Sequence, residues 1–196
     1  MADFDPFSRL VQSQQPIRRK VFISHPHIHQ AETDWFVHSF GDVFIAKAVG
    51  TFRDDNRIDS SNPEYTMSVI RADYIGDSTV TIVLVGCCTH SRRYVDWEIK
   101  GSLMQGKDRL PNGLIAIQMP SSGAAAYLPE RFAANWKRDD ANCYARYYRY
   151  PISKDELRSW IEDAFAARTS RAQLIENRHD TMWGYDHKCE IHGIVH

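Results

Sequence analysis

Residues 79–86, TVTIVLVG, constrain the fold of this chain more than any other stretch, because nearly every position is β-branched or apolar and no polar alternation is sustained. A strand with one face in water alternates; a strand covered on both faces reads as a continuous apolar run. The stretch is therefore the centre of a parallel sheet with helices packed on both sides. The neighbouring segments agree. KVFIS at 20–24 is a first short strand, stopped by a His-Pro turn signal. Trp35, Phe36, Phe40, Val43 and Phe44 then recur at about the helical repeat, and VGTF at 49–52 is a second, short strand. Residues 53–62, RDDNRIDSSN, form a charged turn that ends in Asn62 as an N-cap and Pro63 at the first helical position, opening a helix to about residue 73.

After the central strand, a polar turn at 89–93 leads into a helix over 92–105, with Val95, Ile99 and Leu103 as its inward stripe and Gly106 at its end. LIAI at 114–117 is another strand, 144–150 an edge strand, and Ser153 with Glu156 a capping box that starts a helix to about residue 168. Strands alternating with helices imply right-handed crossovers and a doubly wound α/β domain. We divide the chain into an arm at 1–18, the α/β domain at 19–168 and a polar, His-rich C-terminal extension at 169–196. In such folds ligands bind beyond the carboxyl ends of the strands, where strand order reverses. That directs attention to the loops after Ser24, Phe52 and Gly86.

Composition removes several function classes. The formal net charge is −1 and the pI about 6.7, without the basic excess that a phosphate backbone requires. Nucleic acid is not an expected partner. The first residues carry acids where an export signal needs lysines, and no apolar run approaches the roughly 18 residues of a membrane span. Of four cysteines, at 87, 88, 143 and 189, the adjacent first two end an apolar run and read as small buried apolar residues, and the set fits a reducing, cytoplasmic setting.

The block at 80–103, VTIVLVGCCTHSRRYVDWEIKGSL, runs from an apolar strand through Gly and Thr-x-x-Arg-Arg to an aromatic residue and Trp-Glu-Ile. With KVFISH at 20–25 and the loop and helix of 53–73, it resembles the TIR-like family that includes the ThsB proteins of Thoeris anti-phage defence. The likeness spans about residues 18–120. It implies a flavodoxin-like sheet, NAD as substrate rather than cofactor, a catalytic glutamate at Glu98 and a lid loop after the second strand. It further implies a nucleotide messenger made by ADP-ribose chemistry that activates a partner effector, self-association to complete the pocket, and a phage-derived activator.

The chemistry suits a single carboxylate. The nicotinamide–ribose bond joins a sugar to a pyridinium, so the leaving group departs neutral and needs no proton donor. What needs stabilising is positive charge growing on the ribose. A long side chain on a helix points back toward the helix N-terminus, which aims Glu98 at the carboxyl edge of the sheet. Measured from the apolar stripe, Glu98 and Asp96 lie on opposite flanks and neither belongs to the core, so periodicity does not choose between them; the resemblance chooses Glu98. Around it we place substrate contacts at Ser24 and His25, at Phe52 ending the second strand, at Arg53 and Asp54 in the lid loop, and at Arg92, Arg93 and Tyr94. Arg92 and Arg93 are suited to clamp a pyrophosphate or to pair with Asp96. Trp97 reads as packing.

His25, His27 and His29 alternate, and His187, Cys189 and His192 gather near the end of the chain, but neither set matches a closed zinc finger and no metal is expected. Two rival functions share the fold: a non-catalytic module assembling through its sheet edges and the loop at 53–62, and an enzyme of the nucleoside deoxyribosyltransferase kind, which would leave NAD intact.

Overall fold

The computed structural model describes residues 16–47, 62–107, 109–123, 126–138, 140–177 and 182–195. All six residues of the apolar run that form the central strand are buried. The strands are β1 (Lys20–Ser24), β2 (Ile45–Lys47), β3 (Val80–Val85), β4 (Gly113–Gln118) and β5 (Arg146–Tyr148). They form one sheet in the order β2-β1-β3-β4-β5, every pair parallel. Strand order reverses between β1 and β3, the flavodoxin-like arrangement.

Alternation along the strands sorts the core into two layers. Val21 and Ile23 of β1, with Ile82, Leu84, Ile115 and Ile117, pack against α1 (Gln30–Phe40) and α5 (Lys154–Ser170). Phe22, Val83, Val85, Leu114 and Ala116 face the other way. There they meet α2 (Pro63–Val69), its π-helical continuation Ile70–Ile75, α3 (Arg93–Leu103) and α4 (Glu130–Ala134). The expected caps are in place: Asn62 Oδ1 accepts from the N–H groups of Glu64 and Tyr65 at 3.0 and 3.2 Å, and Ser153 Oγ from that of Glu156 at 3.1 Å. The Glu156 carboxylate returns to Ile152 N–H at 2.8 Å, one residue earlier than in a standard capping box.

Two boundaries differ from the sequence reading. Val43 and Phe44 are buried but not helical: α1 stops at Phe40, and the Phe44 ring packs 6.2 Å from Phe36 as the chain turns directly into β2. The core seam was legible; the element carrying its last two members was not. The second strand accordingly sits at Ile45–Lys47, while 49–52 lies outside the described residues, as does most of the arm at 1–18. Helix α5 runs through Ser170, two residues past the boundary drawn at 168. No helix among the described residues is long and apolar enough to cross a membrane.

One contact fixes α5 on the sheet. A Cβ added at Gly113, the first residue of β4, would lie 1.9 Å from the backbone oxygen of Ala164. Backbone cannot yield as a side-chain tip does, so Gly113→Ala is expected to cost about 2–3 kcal/mol. Gly184→Ala, where a Cβ meets nothing within 4 Å, should leave thermal unfolding unchanged; equal melting temperatures for the two variants would refute this account of the packing.

Candidate active site

Strand order reverses between β1 and β3, and at the carboxyl ends of these two strands the sequence places small and polar residues. Ser24 ends β1 and is fully buried. After β3 the chain turns at Gly86, where a Cβ would stand 2.6 Å from His29 Nε2 and 2.9 Å from Ser121 Oγ, so glycine is the residue that fits. The Thr89 hydroxyl holds the turn, accepting from Gly86 N–H at 2.9 Å and donating to the Leu84 carbonyl at 3.1 Å. Helix α3 leaves from this turn, with Glu98 in its second turn.

The expectation that Asp96 and Glu98 both lie outside the core is wrong. A stripe model supposes a helix with one face in water, whereas α3 is buried at Val95, Asp96, Trp97, Glu98, Ile99, Gly101, Ser102 and Leu103, enclosed by the sheet, the π-helical turn and α4. Enclosure treats the two carboxylates in opposite ways. Asp96, 2% exposed, is held by the equally buried Arg131 of α4: Nε donates to Oδ1 at 2.9 Å and Nη2 to Oδ2 at 3.1 Å. Glu98, 4% exposed, has no cation acting on it among the described residues.

Desolvation consequently pushes the Glu98 carboxyl up from 4.5 to about 8. Ser24 pulls modestly the other way. That hydroxyl is near enough to favour the anion without completing a hydrogen bond, since Glu98 Oε2 and Ser24 Oγ are both buried and unpartnered among the described residues. Buried polar atoms are ordinarily satisfied. Two orphans side by side at a switch point mark a place where a ligand hydroxyl can serve both.

The model of the family described as Thoeris protein ThsB, TIR-like domain, matches residues 22–124, more than half of the chain. The chain belongs to this family. No curated protein matches it. In this TIR-like domain the matched span contains the last three residues of β1, with β3, β4, α3 and the Glu98 site.

Other residues singled out from the sequence are distributed unevenly. His25 follows Ser24, is buried, and bonds through Nε2 to Gln30 Oε1 at 2.9 Å; burial lowers its pKa, with Gln30 opposing. Its neighbours His27 and His29 occupy a 3-10 turn, so the three rings do not share one side as an extended chain would place them. Arg92 pairs with Asp186 at 2.9 Å rather than with Asp96, and Arg93 donates its backbone N–H to Asp186 at 2.8 Å and a guanidinium N–H to the Gly184 carbonyl at 3.1 Å. Tyr94 packs edge-on to Trp97, whose indole N–H donates to Trp183 O at 2.9 Å. Phe52, Arg53 and Asp54 lie outside the described residues.

Asp186 and Arg131 escaped the sequence reading. A carboxylate placed where the N-terminus of α3 and Arg92 both favour an anion has no local signal when it comes from a polar segment 94 residues away. Farther along the same sheet edge, Gln118, Met119, Pro120, Gly123, Arg149 and Tyr150 line an open groove of about 420 Å³ that does not include Glu98.

Proposed function

We propose that this domain cleaves the nicotinamide–ribose bond of NAD with Glu98 as the catalytic carboxylate. One observation carries the reading: a buried carboxyl at the carboxyl edge of the sheet, beside Ser24, with no cation against it and one oxygen unpartnered among the described residues. An acid held this way is costly to ionise until positive charge arrives. NAD brings that charge as its pyridinium, and cleavage moves it onto the ribose ring, where a carboxylate in a water-poor site stabilises it best. Nicotinamide leaves neutral, so a second carboxyl acting as proton donor is unnecessary; Asp96, neutralised by Arg131, is not offered as one.

The ADP-ribosyl group then passes to a hydroxyl or base of the same molecule, to another small molecule or to water. Membership of the ThsB family supports the first two, giving a cyclic or conjugated ADP-ribose nucleotide that activates an effector protein during anti-phage defence in the cytoplasm. The same membership supports assembly of several copies, prompted by a phage-derived trigger, as the event that opens the site.

The test is nicotinamide release from NAD by concentrated protein, followed across pH with products identified by mass spectrometry. Activity in the free protein requires the ionised carboxylate, so kcat/KM should rise with pH and level off above about 8. The bound pyridinium favours the anion, so the corresponding rise in kcat should come at lower pH. No nicotinamide at any concentration, with lysate of phage-infected cells added as a source of the trigger, would sink the proposal. Cleavage of nucleosides with NAD intact would transfer the site to deoxyribosyl chemistry.

A further inference from the structure

The turn after β3 carries two adjacent cysteines, and the C-terminal segment lays a third cysteine and a histidine against them. The Cys88 sulfur lies 3.4 Å from that of Cys87, 3.6 Å from that of Cys189 and 3.2 Å from His192 Nδ1. The ligand atoms of Cys87, Cys88 and His192 all fall within 4.8 Å of one another. Tetrahedral zinc, with bonds of about 2.3 Å to sulfur and about 2.0–2.1 Å to nitrogen, spaces its ligand atoms about 3.5–3.8 Å apart. The Cys88 contacts sit at or just inside that spacing. Cys87, Cys88 and His192 outline one face of a tetrahedron; Cys189, whose sulfur reaches that of Cys88 at 3.6 Å but lies outside this group of three, becomes the fourth donor by a rotation of its side chain toward the ion.

The backbone on both sides presents these groups. The C-terminal segment closes on itself, Gly193 N–H donating to Cys189 O at 2.7 Å and Cys189 N–H to Ile194 O at 2.8 Å, with Gly193 at φ +70°, a conformation suited to glycine. This turn gathers Cys189 and His192 together. It is also tied to the β3 turn, through His187 N–H to Ser91 O at 2.8 Å and Glu190 N–H to His90 Nε2 at 3.1 Å. Cys88 and Cys189 are buried and Cys87 is half-buried, and a divalent cation holds such thiols as thiolates at neutral pH.

We propose that Cys87, Cys88, Cys189 and His192 bind one zinc ion, which staples the C-terminal segment to the turn preceding the Glu98 helix. Zinc(II) takes three thiolates and a neutral imidazole, and the three thiol protons leave to solvent. A disulfide uses two sulfurs, requires them to close to about 2.05 Å, and gives neither the remaining thiol nor the histidine a role. His29 Nε2, 3.7 Å from the Cys87 sulfur, is placed to donate to the thiolate. The sequence reading expected no metal because neither histidine cluster matches a closed finger, and Cys87 and Cys88 lie about a hundred residues from the Cys189 and His192 that the fold brings to them.

The chain is purified under reducing, oxygen-free conditions from zinc-replete cells, and its metal content is measured. The stripped protein is then titrated with cobalt(II). We expect about one zinc per chain and, with cobalt, thiolate-to-metal charge transfer with the visible bands of a tetrahedral site. Cys189→Ser and His192→Ala should each lower zinc affinity at least about 10–100-fold while far-ultraviolet circular dichroism stays unchanged, and Cys143→Ser should retain the ion. Metal-free wild type with no cobalt spectrum overturns the proposal, as does undiminished zinc in the Cys189→Ser/His192→Ala double variant, or a Cys88–Cys189 disulfide in the freshly isolated chain.

Discussion

Glu98→Gln is expected to lower NAD cleavage by at least about 100-fold, the scale of losing a preorganised electrostatic group at the reacting centre, and at the same time to stabilise the fold near neutral pH. The two effects have one cause. Folded Glu98 titrates at about 8 against an ordinary 4.5, so between those values the folded chain holds a proton that the unfolded chain releases. Stability therefore falls as pH rises through this window and is level below about 4.5 and above about 8. At pH 7 the loss is of the order of 3 kcal/mol, and an amide of nearly the same shape, which never ionises, escapes it. Urea unfolding at pH 5 and at pH 8.5 measures this directly: the advantage of the variant should be small in acid and full in base. An advantage independent of pH would mean that Glu98 is not held neutral, and a fully active variant would remove it from the reaction.

Arg131→Met should have the largest effect on stability alone. It strips both hydrogen bonds from Asp96 and leaves that carboxylate in a 2% exposed position without its cation. Breaking a buried pair from one side costs about 3–5 kcal/mol, which for a chain of this size lowers Tm by roughly 10 °C. Adding Asp96→Leu should recover much of the loss, because an apolar pair of similar volume has no charge to strand. If the single variant melts with the wild type, Asp96 is paying no burial penalty and the contrast drawn between it and Glu98 fails.

That contrast also marks the limit of what the sequence made legible. The central strand, β4, the two capped helices and the doubly wound topology follow from patterns that are local: an unalternated apolar run, Asn62 before Pro63, Ser153 before Glu156. The positions of Ser24 and Glu98 on one edge follow from the topology. Burial of Asp96 does not, because it depends on Arg131 in a five-residue helix too short to leave a periodic trace. Helical repeat also carried the Phe36–Phe40 spacing on to Val43 and Phe44, where the chain had already left the helix to reach the sheet. The partners of Arg92 and Arg93 and the gathering of three cysteines with His192 arise from a C-terminal segment whose composition is merely polar and whose placement is decided entirely by tertiary contacts.

Helix α3 thus carries two acids two positions apart, one locked to a guanidinium and the other a store of one proton. A cationic molecule that settles against Glu98 displaces that proton into the surrounding buffer. The heat measured on mixing then contains the ionisation heat of whichever buffer accepts it, and at acidic pH every binding event carries the added work of deprotonation.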